Sequence, residues 1–121
     1  MSESGKKGKL AEKTAVWFLK IMGYKIIKRN YRPQKGIGAG EIDIIAFKDN
    51  LLVFVEVKAR KNEELAAYSI LPEQIKRIIK SAELFLAENQ EYSSCNIRFD
   101  AILMGSMKTP VHIKDAFRAD F

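Results

Sequence analysis

Hydrophobic and polar positions along the chain follow two periods, and the switches between them mark the elements. Between Gly8 and Met22, Ala11, Ala15, Phe18 and Met22 recur at helical spacing, with Leu10, Val16 and Leu19 widening the stripe. Gly23 follows the last periodic residue and predicts the helix stop. Tyr24–Arg29 reads as a short strand, and Asn30–Gly40, with Pro33, Gly36, Gly38 and Gly40, as a loop. Glu41–Phe47 and Leu51–Lys58 have strong strand character around Lys48-Asp49-Asn50, where Asp and Asn tolerate the positive φ of a tight hairpin. The stretch from Ala59 to Leu71 is irregular, with Glu63–Ala67 as one helical turn. Pro72 suits the first position of a second helix reaching Asn89, with the stripe Ile75, Ile78, Ile79, Ala82, Phe85, Leu86. Asn96–Met104 alternates as a strand, Gly105–Pro110 is a loop, and Val111–Ile113 is a last short strand. The order α-β-β-β-α-β predicts an α/β fold, a central mixed sheet flanked by helices. Residues 1–7 are polar and read as a loose basic tail, leaving 8–121 as a single domain.

The hairpin carries the candidate chemistry. With Asp49-Asn50 as the turn, Lys48 pairs with Leu51 and Phe47 with Leu52, which sets Asp43 opposite Glu56 and Glu41 opposite Lys58. One face then holds Ile42, Ile44, Ala46, Val53, Val55 and Val57 and is wholly apolar. The other is apolar near the turn but carries Glu41, Asp43, Glu56 and Lys58 at its far end. Carboxylates facing each other on a sheet cost stability unless a cation lies between them. Oxygen donors of this kind suit Mg²⁺, which binds one or two carboxylates and completes its shell with water and phosphate. The competing reading is an ordinary sheet end with a Glu41–Lys58 ion pair. Against it stands a charged pair within two strongly apolar strands, where unpaired charge is expensive.

Charge narrows the partner. The 121-residue chain carries a net charge of +6, placed unevenly. Residues 1–40 hold ten Lys/Arg against two acids, a net of +8, while the rest nets −2. A basic segment is the footprint of a polyanion such as nucleic acid. One cysteine (Cys95) and one histidine (His112) exclude a disulfide framework and the usual zinc sets within one chain. No apolar run is long enough to cross a bilayer or forms a signal core, so no membrane partner is expected and a reducing, cytoplasmic setting is.

Asp43, followed after twelve residues by Glu56-Val57-Lys58, is similar to the D…E-x-K signature of the restriction-endonuclease-like, PD-(D/E)XK, nuclease superfamily. The strings Gly40-Glu41-Ile42-Asp43-Ile44-Ile45 and Phe54-Val55-Glu56-Val57-Lys58-Ala59-Arg60 are more specific. With Arg29-Asn30-Tyr31-Arg32 before them and Arg98-Phe99-Asp100 after, they resemble the YraN family of predicted nucleases, from about Gly8 to Phe117. The resemblance implies a restriction-endonuclease-like fold and a Mg²⁺- or Mn²⁺-dependent endonuclease acting on DNA. Asp43 and Glu56 match its metal-binding acids and Lys58 its catalytic lysine. Glu12 matches an acid that archaeal Holliday junction resolvases of the superfamily use near the metal, Gln74 a glutamine some members carry in the site, and Glu41 belongs to the family string. Two departures stand out: Ala11 precedes Glu12 where the family has Gly, and Lys61–Leu71 lacks an expected glycine.

Lys9, Lys13, Lys28, Arg29, Arg32, Lys35 and Arg60 are the expected phosphate contacts, which position nucleic acid rather than read its sequence. Without the resemblance, Glu12 is equally an acid favoured at a helix start. Arg98 and Asp100 share a strand face and read as an ion pair, His112 as structural, and Trp17 as a packing residue. The alternatives to an enzyme are a binding module for nucleic acid or a partner on the same fold, or a subunit active only as a homodimer or with another protein.

Overall fold

The computed structural model describes residues 3–34, 38–59, 70–105 and 109–119. Its elements are α1 (Glu3–Ile21), β1 (Lys25–Tyr31), β2 (Ile42–Lys48), β3 (Leu51–Ala59), α2 (Pro72–Glu88), a short 3₁₀ turn (Gln90–Tyr92), β4 (Asn96–Met104) and β5 (Val111–Phe117). The predicted order holds, with a fifth strand that is longer than Val111–Ile113. The five strands form one sheet in the order β1-β2-β3-β4-β5. All neighbours are antiparallel except β3 and β4, which are parallel. A parallel pair needs a crossover, and α2 lies on that connection. This α/β arrangement, a mixed sheet with two helices among the described residues, is compatible with a restriction-endonuclease-like core.

Each helix covers one sheet face. Ala15, Val16 and Leu19 of α1 pack on Ile44, Ala46, Val53, Val55 and Ile102. Ile78, Ala82 and Phe85 of α2 pack on Ile42, Ile45, Leu52, Phe54 and Phe99. Both faces of the hairpin are therefore core near the turn, the condition under which central strands become almost continuously apolar. Ile42 joins the cluster opposite to that of Ile44, against simple alternation.

Helix α1 starts at Glu3, ahead of the apolar stripe, and stops at a Schellman motif. Gly23 has φ +95°, its N–H donates to the Lys20 carbonyl at 3.0 Å, and the Tyr24 N–H donates to the Leu19 carbonyl at 2.9 Å. Lys48 Nζ donates to the Met22 carbonyl at 2.7 Å, placing a cation at the negative end of the helix. The hairpin register is the predicted one from Lys48↔Leu51 to Ile44↔Val55. Asp49 (φ 50°) and Asn50 (φ 61°) supply the two left-handed residues of a type I′ turn. β1 is displaced along the chain from the expected Tyr24–Arg29. It carries an irregularity between Ile26 and Lys28 and runs on to Tyr31, so Asn30 is a strand residue and not the start of a loop.

One expectation is corrected. Trp17 does not pack: it is 69% exposed on α1, with Leu10 and Ile21 also outward, because the helix buries the Ala11, Ala15 and Leu19 side. Tyr24 and Tyr31 lie in the core. The Arg98–Asp100 pair is present and belongs to a larger network. Asp100, fully buried, accepts from Arg98 Nε and an Arg98 terminal nitrogen at 2.7 Å each and from the Asp115 N–H at 3.0 Å. His112 Nε2 lies 2.7 Å from Asp100 Oδ2, and Arg98 also donates to the Tyr24 hydroxyl at 3.0 Å. Burial alone would raise the Asp100 pKa, but His112, Arg98 and the Asp115 N–H together hold it below the usual value. The network ties edge strand β5 to the sheet beneath α1.

Candidate metal centre

The ladder between β2 and β3 ends at Ile44↔Val55, and the candidate site begins there. Asp43 lies in β2 just beyond that last pair. Its Oδ2 accepts the Val57 N–H at 2.8 Å, so a side chain takes the place of a backbone partner. That bond fixes the carboxylate against β3, beside Glu56. The Asp43 and Glu56 carboxyls line the same cleft and shift each other's titration, the juxtaposition the register predicted. Glu56 is only 6% exposed, and its Oε2 is buried with no hydrogen-bond partner among the described residues. Burial, then the neighbouring Asp43 carboxyl, push its pKa up to about 9, against the opposing pull of Lys58. Burial also raises the Asp43 pKa, with Glu41 adding to it, while Glu56, the Val57 N–H and Lys58 lower it. Two carboxyls this close and this buried resist being ionised together.

The predicted Glu41–Lys58 pairing is not formed, because Glu41 precedes β2 instead of belonging to it. Its Oε2 accepts from Arg32 at 3.0 Å and its Oε1 from Asn30 Nδ2 at 2.7 Å. Lys58 turns instead to Glu56 Oε1 at 3.6 Å and Gln74 Oε1 at 3.2 Å. Gln74, at the start of α2, is thereby brought into the site. Gly40 explains how Glu41 is held. Its N–H donates to the Arg77 carbonyl at 3.2 Å and its carbonyl accepts from Ser81 Oγ. A Cβ on Gly40 would sit 3.0 Å from the Arg77 Cβ, so any larger residue would push the loop and α2 apart by a few tenths of an ångström.

Glu12 reaches the same place from α1. One carboxylate oxygen each from Glu12, Glu41 and Asp43 lie within 4.8 Å of one another. Burial raises the Glu12 pKa and Asp43 and Glu41 add to it, while Asn30 and Arg29 oppose. Asn30 Nδ2 donates to both Glu12 and Glu41, cross-linking α1 to the loop before β2. Sequence reasoning included Asn30 in a motif but gave it no role. Its φ of 51°, which Asn tolerates better than most residues, aims it into the cluster. Carboxylates forced together and pushed toward their protonated forms, beside an orphaned buried oxygen, are groups that a bound cation would satisfy. The all-oxygen donor set fits Mg²⁺ or Mn²⁺.

Lys9 and Lys13 are exposed on α1, and Lys28 and Arg29 on β1. Lys28 lies 5.5 Å from the Tyr31 ring centre, and Arg32 is occupied by Glu41. Lys35 and Arg60, and the Glu63–Ala67 turn, lie outside the described residues. A cleft of about 400 Å³ opens on Glu41, Asp43 and Glu56, with Glu73, Gln74 and Arg77 of α2 on its wall. A second, of about 410 Å³, lies elsewhere, between Leu51, Phe99, Phe117 and Arg118, and holds none of these carboxylates. No described helix is long and apolar enough to cross a membrane.

The model of the family described as "Uncharacterised protein family UPF0102" matches residues 11–104, the span that contains every side chain of the acidic cluster. Similar proteins include a UPF0102 protein of Paramagnetospirillum magneticum, 41% identical over 115 residues, which cover 95% of this chain and 89% of that one. A UPF0102 protein of Rhodopseudomonas palustris is 41% identical over 93% of this chain and 83% of its own. One of Bradyrhizobium diazoefficiens is 42% identical over 90% and 79%. The chain thus belongs to the UPF0102, YraN-like, family.

Proposed function

We propose that this protein is a divalent-metal-dependent nuclease of the PD-(D/E)XK type that hydrolyses phosphodiester bonds in DNA, in the reducing setting of the cytoplasm. The observation that carries the reading is the Glu56 carboxyl, buried against Asp43 with one oxygen unpartnered among the described residues and Lys58 beside it. Buried polar atoms are nearly always hydrogen-bonded, so an unpartnered carboxylate oxygen beside a second acid calls for a ligand. Glu12, Glu41, Asp43 and Glu56 would hold Mg²⁺ or Mn²⁺. Bound there, the ion supplies polarisation of the scissile phosphate and a lowered pKa for a water molecule.

Lys58 is the second functional group. Its ammonium is mostly buried and held between Glu56 and Gln74, so it is oriented before substrate arrives. From there it would fix the attacking water or stabilise charge developing on the phosphate. Gln74 positions Lys58. Asn30 holds Glu12 and Glu41 in register, and the Gly40–Ser81 bond fixes the loop that bears Glu41. The basic residues of α1 and β1 would hold the phosphate backbone, which favours recognition of DNA structure over sequence.

The test is a panel of linear, single-stranded and four-way-junction DNA incubated with Mg²⁺ or Mn²⁺. Wild type should cut at least one substrate, and Asp43→Asn and Lys58→Ala should lose cutting while keeping a cooperative melt. Cutting that persists in both variants refutes the site. Salt-dependent binding without cleavage under every metal assigns the fold to a binding module.

A further inference from the structure

Arg77 is a cation in an acidic cleft that no acid among the described residues has claimed. The cleft wall carries four carboxylates, Glu41, Asp43, Glu56 and Glu73, and Arg77 is the one basic side chain among the described residues that line it. Glu73 stands four residues earlier on α2, the spacing of a helical ion pair. Yet among the described residues no carboxylate pairs with Arg77. The rest of the residue is fixed. Its carbonyl accepts the Gly40 N–H at 3.2 Å and Ser81 Oγ at 3.0 Å, and its Cβ lies where Gly40 leaves room for it. Backbone and stem are thus clamped to the loop that presents Glu41, and the residue remains exposed.

An anion entering a pocket of four carboxylates meets like charge, which a cation at the wall must offset. A guanidinium provides a rigid fork of donors matched to phosphate oxygens. We propose that Arg77 contacts a backbone phosphate of the nucleic acid in this cleft, so that α2 as well as the basic α1 and β1 binds substrate. This rests on the nuclease reading of the same site. Exposed Lys76 and Lys80 on α2 add to the field without lining the cleft.

The experiment measures binding of fluorescein-labelled duplex and single-stranded DNA by anisotropy, with Ca²⁺ in place of Mg²⁺, across a salt series. Arg77→Gln keeps most of the stem and should weaken binding about tenfold, with the slope of log affinity against log salt reduced by about 0.9 for duplex or 0.7 for single strand. Arg77→Lys should recover most of the affinity and the slope. Mn²⁺ binding by calorimetry should be the same in wild type and both variants. Wild-type affinity and slope in Arg77→Gln overturn the proposal, as does weaker binding with an unchanged slope, which would mark distortion of the Gly40 clamp. If wild type binds and cuts DNA while Arg77→Gln binds normally, this inference alone fails. If wild type binds neither DNA, the nuclease reading fails and this inference with it.

Discussion

Replacing Glu56 by Gln should stabilise the metal-free protein at alkaline pH. In the folded chain the Glu56 carboxyl is buried against Asp43, and its pKa is pushed from 4.5 to about 9. A raised carboxyl pKa means that the unfolded chain releases this proton first. Stability is therefore unaffected below about pH 4.5, falls as pH rises through the window to about 9, and is flat above it. At pH 8, about three and a half units into that window, each unit is worth about 1.4 kcal/mol, which sets a ceiling of about 5 kcal/mol. Water entry and movement of Lys58 reduce this, so we expect a gain of about 2 kcal/mol, or roughly 8 °C in melting temperature for a domain of this length. Gln keeps the shape of the side chain and cannot ionise. Urea unfolding in EDTA at pH 8 and pH 4.5 reads the effect. Glu56→Gln should gain at pH 8 and not at pH 4.5, and Mg²⁺ at pH 8 should stabilise wild type more than the variant. Equal gains at both pH values, or a loss at pH 8, would refute the reasoning.

Asp100→Ala leaves Arg98 and His112 without their shared buried acceptor and should cost about 3 kcal/mol in chemical denaturation, without changing Mn²⁺ binding by the acidic cluster. Wild type should also lose stability as pH falls below about 3.8 toward the depressed Asp100 pKa, and Asp100→Asn should flatten that acid limb of the stability profile. Gly23→Ala, at φ +95° and with a Cβ 3.3 Å from the Lys48 side chain, should lower stability by about 1 kcal/mol in urea titration. Trp17→Gln should change stability by less than about 0.5 kcal/mol, because the ring is exposed.

The parts of the fold fixed by local chemistry were legible in the sequence. The Asp49-Asn50 turn specified the hairpin, because two residues of that kind accept the left-handed conformation the turn demands. Gly23 specified the end of α1 for the same reason. The order of elements and the approach of Asp43 to Glu56 followed from them. What the sequence could not show depends on contacts between distant segments. Glu41 was placed opposite Lys58 on the assumption that the ladder continued, but the Asp43 carboxylate takes the Val57 N–H and the regular register ends. Asn30 carries no signal of its partners, since Glu12 and Glu41 come from other elements. The Gly40–Ser81 clamp spans 41 residues and leaves no local pattern. Trp17 was read from its proximity to an apolar stripe, yet at helical spacing it falls on the side away from Ala15 and Leu19.

The most direct test of the acidic centre is calorimetric titration of Mn²⁺ into the wild-type protein and into Asp43→Asn at pH 8. Saturable binding in wild type that disappears in Asp43→Asn, with both proteins folded, is the predicted result. Absence of binding in wild type, or equal binding in the two, would contradict it.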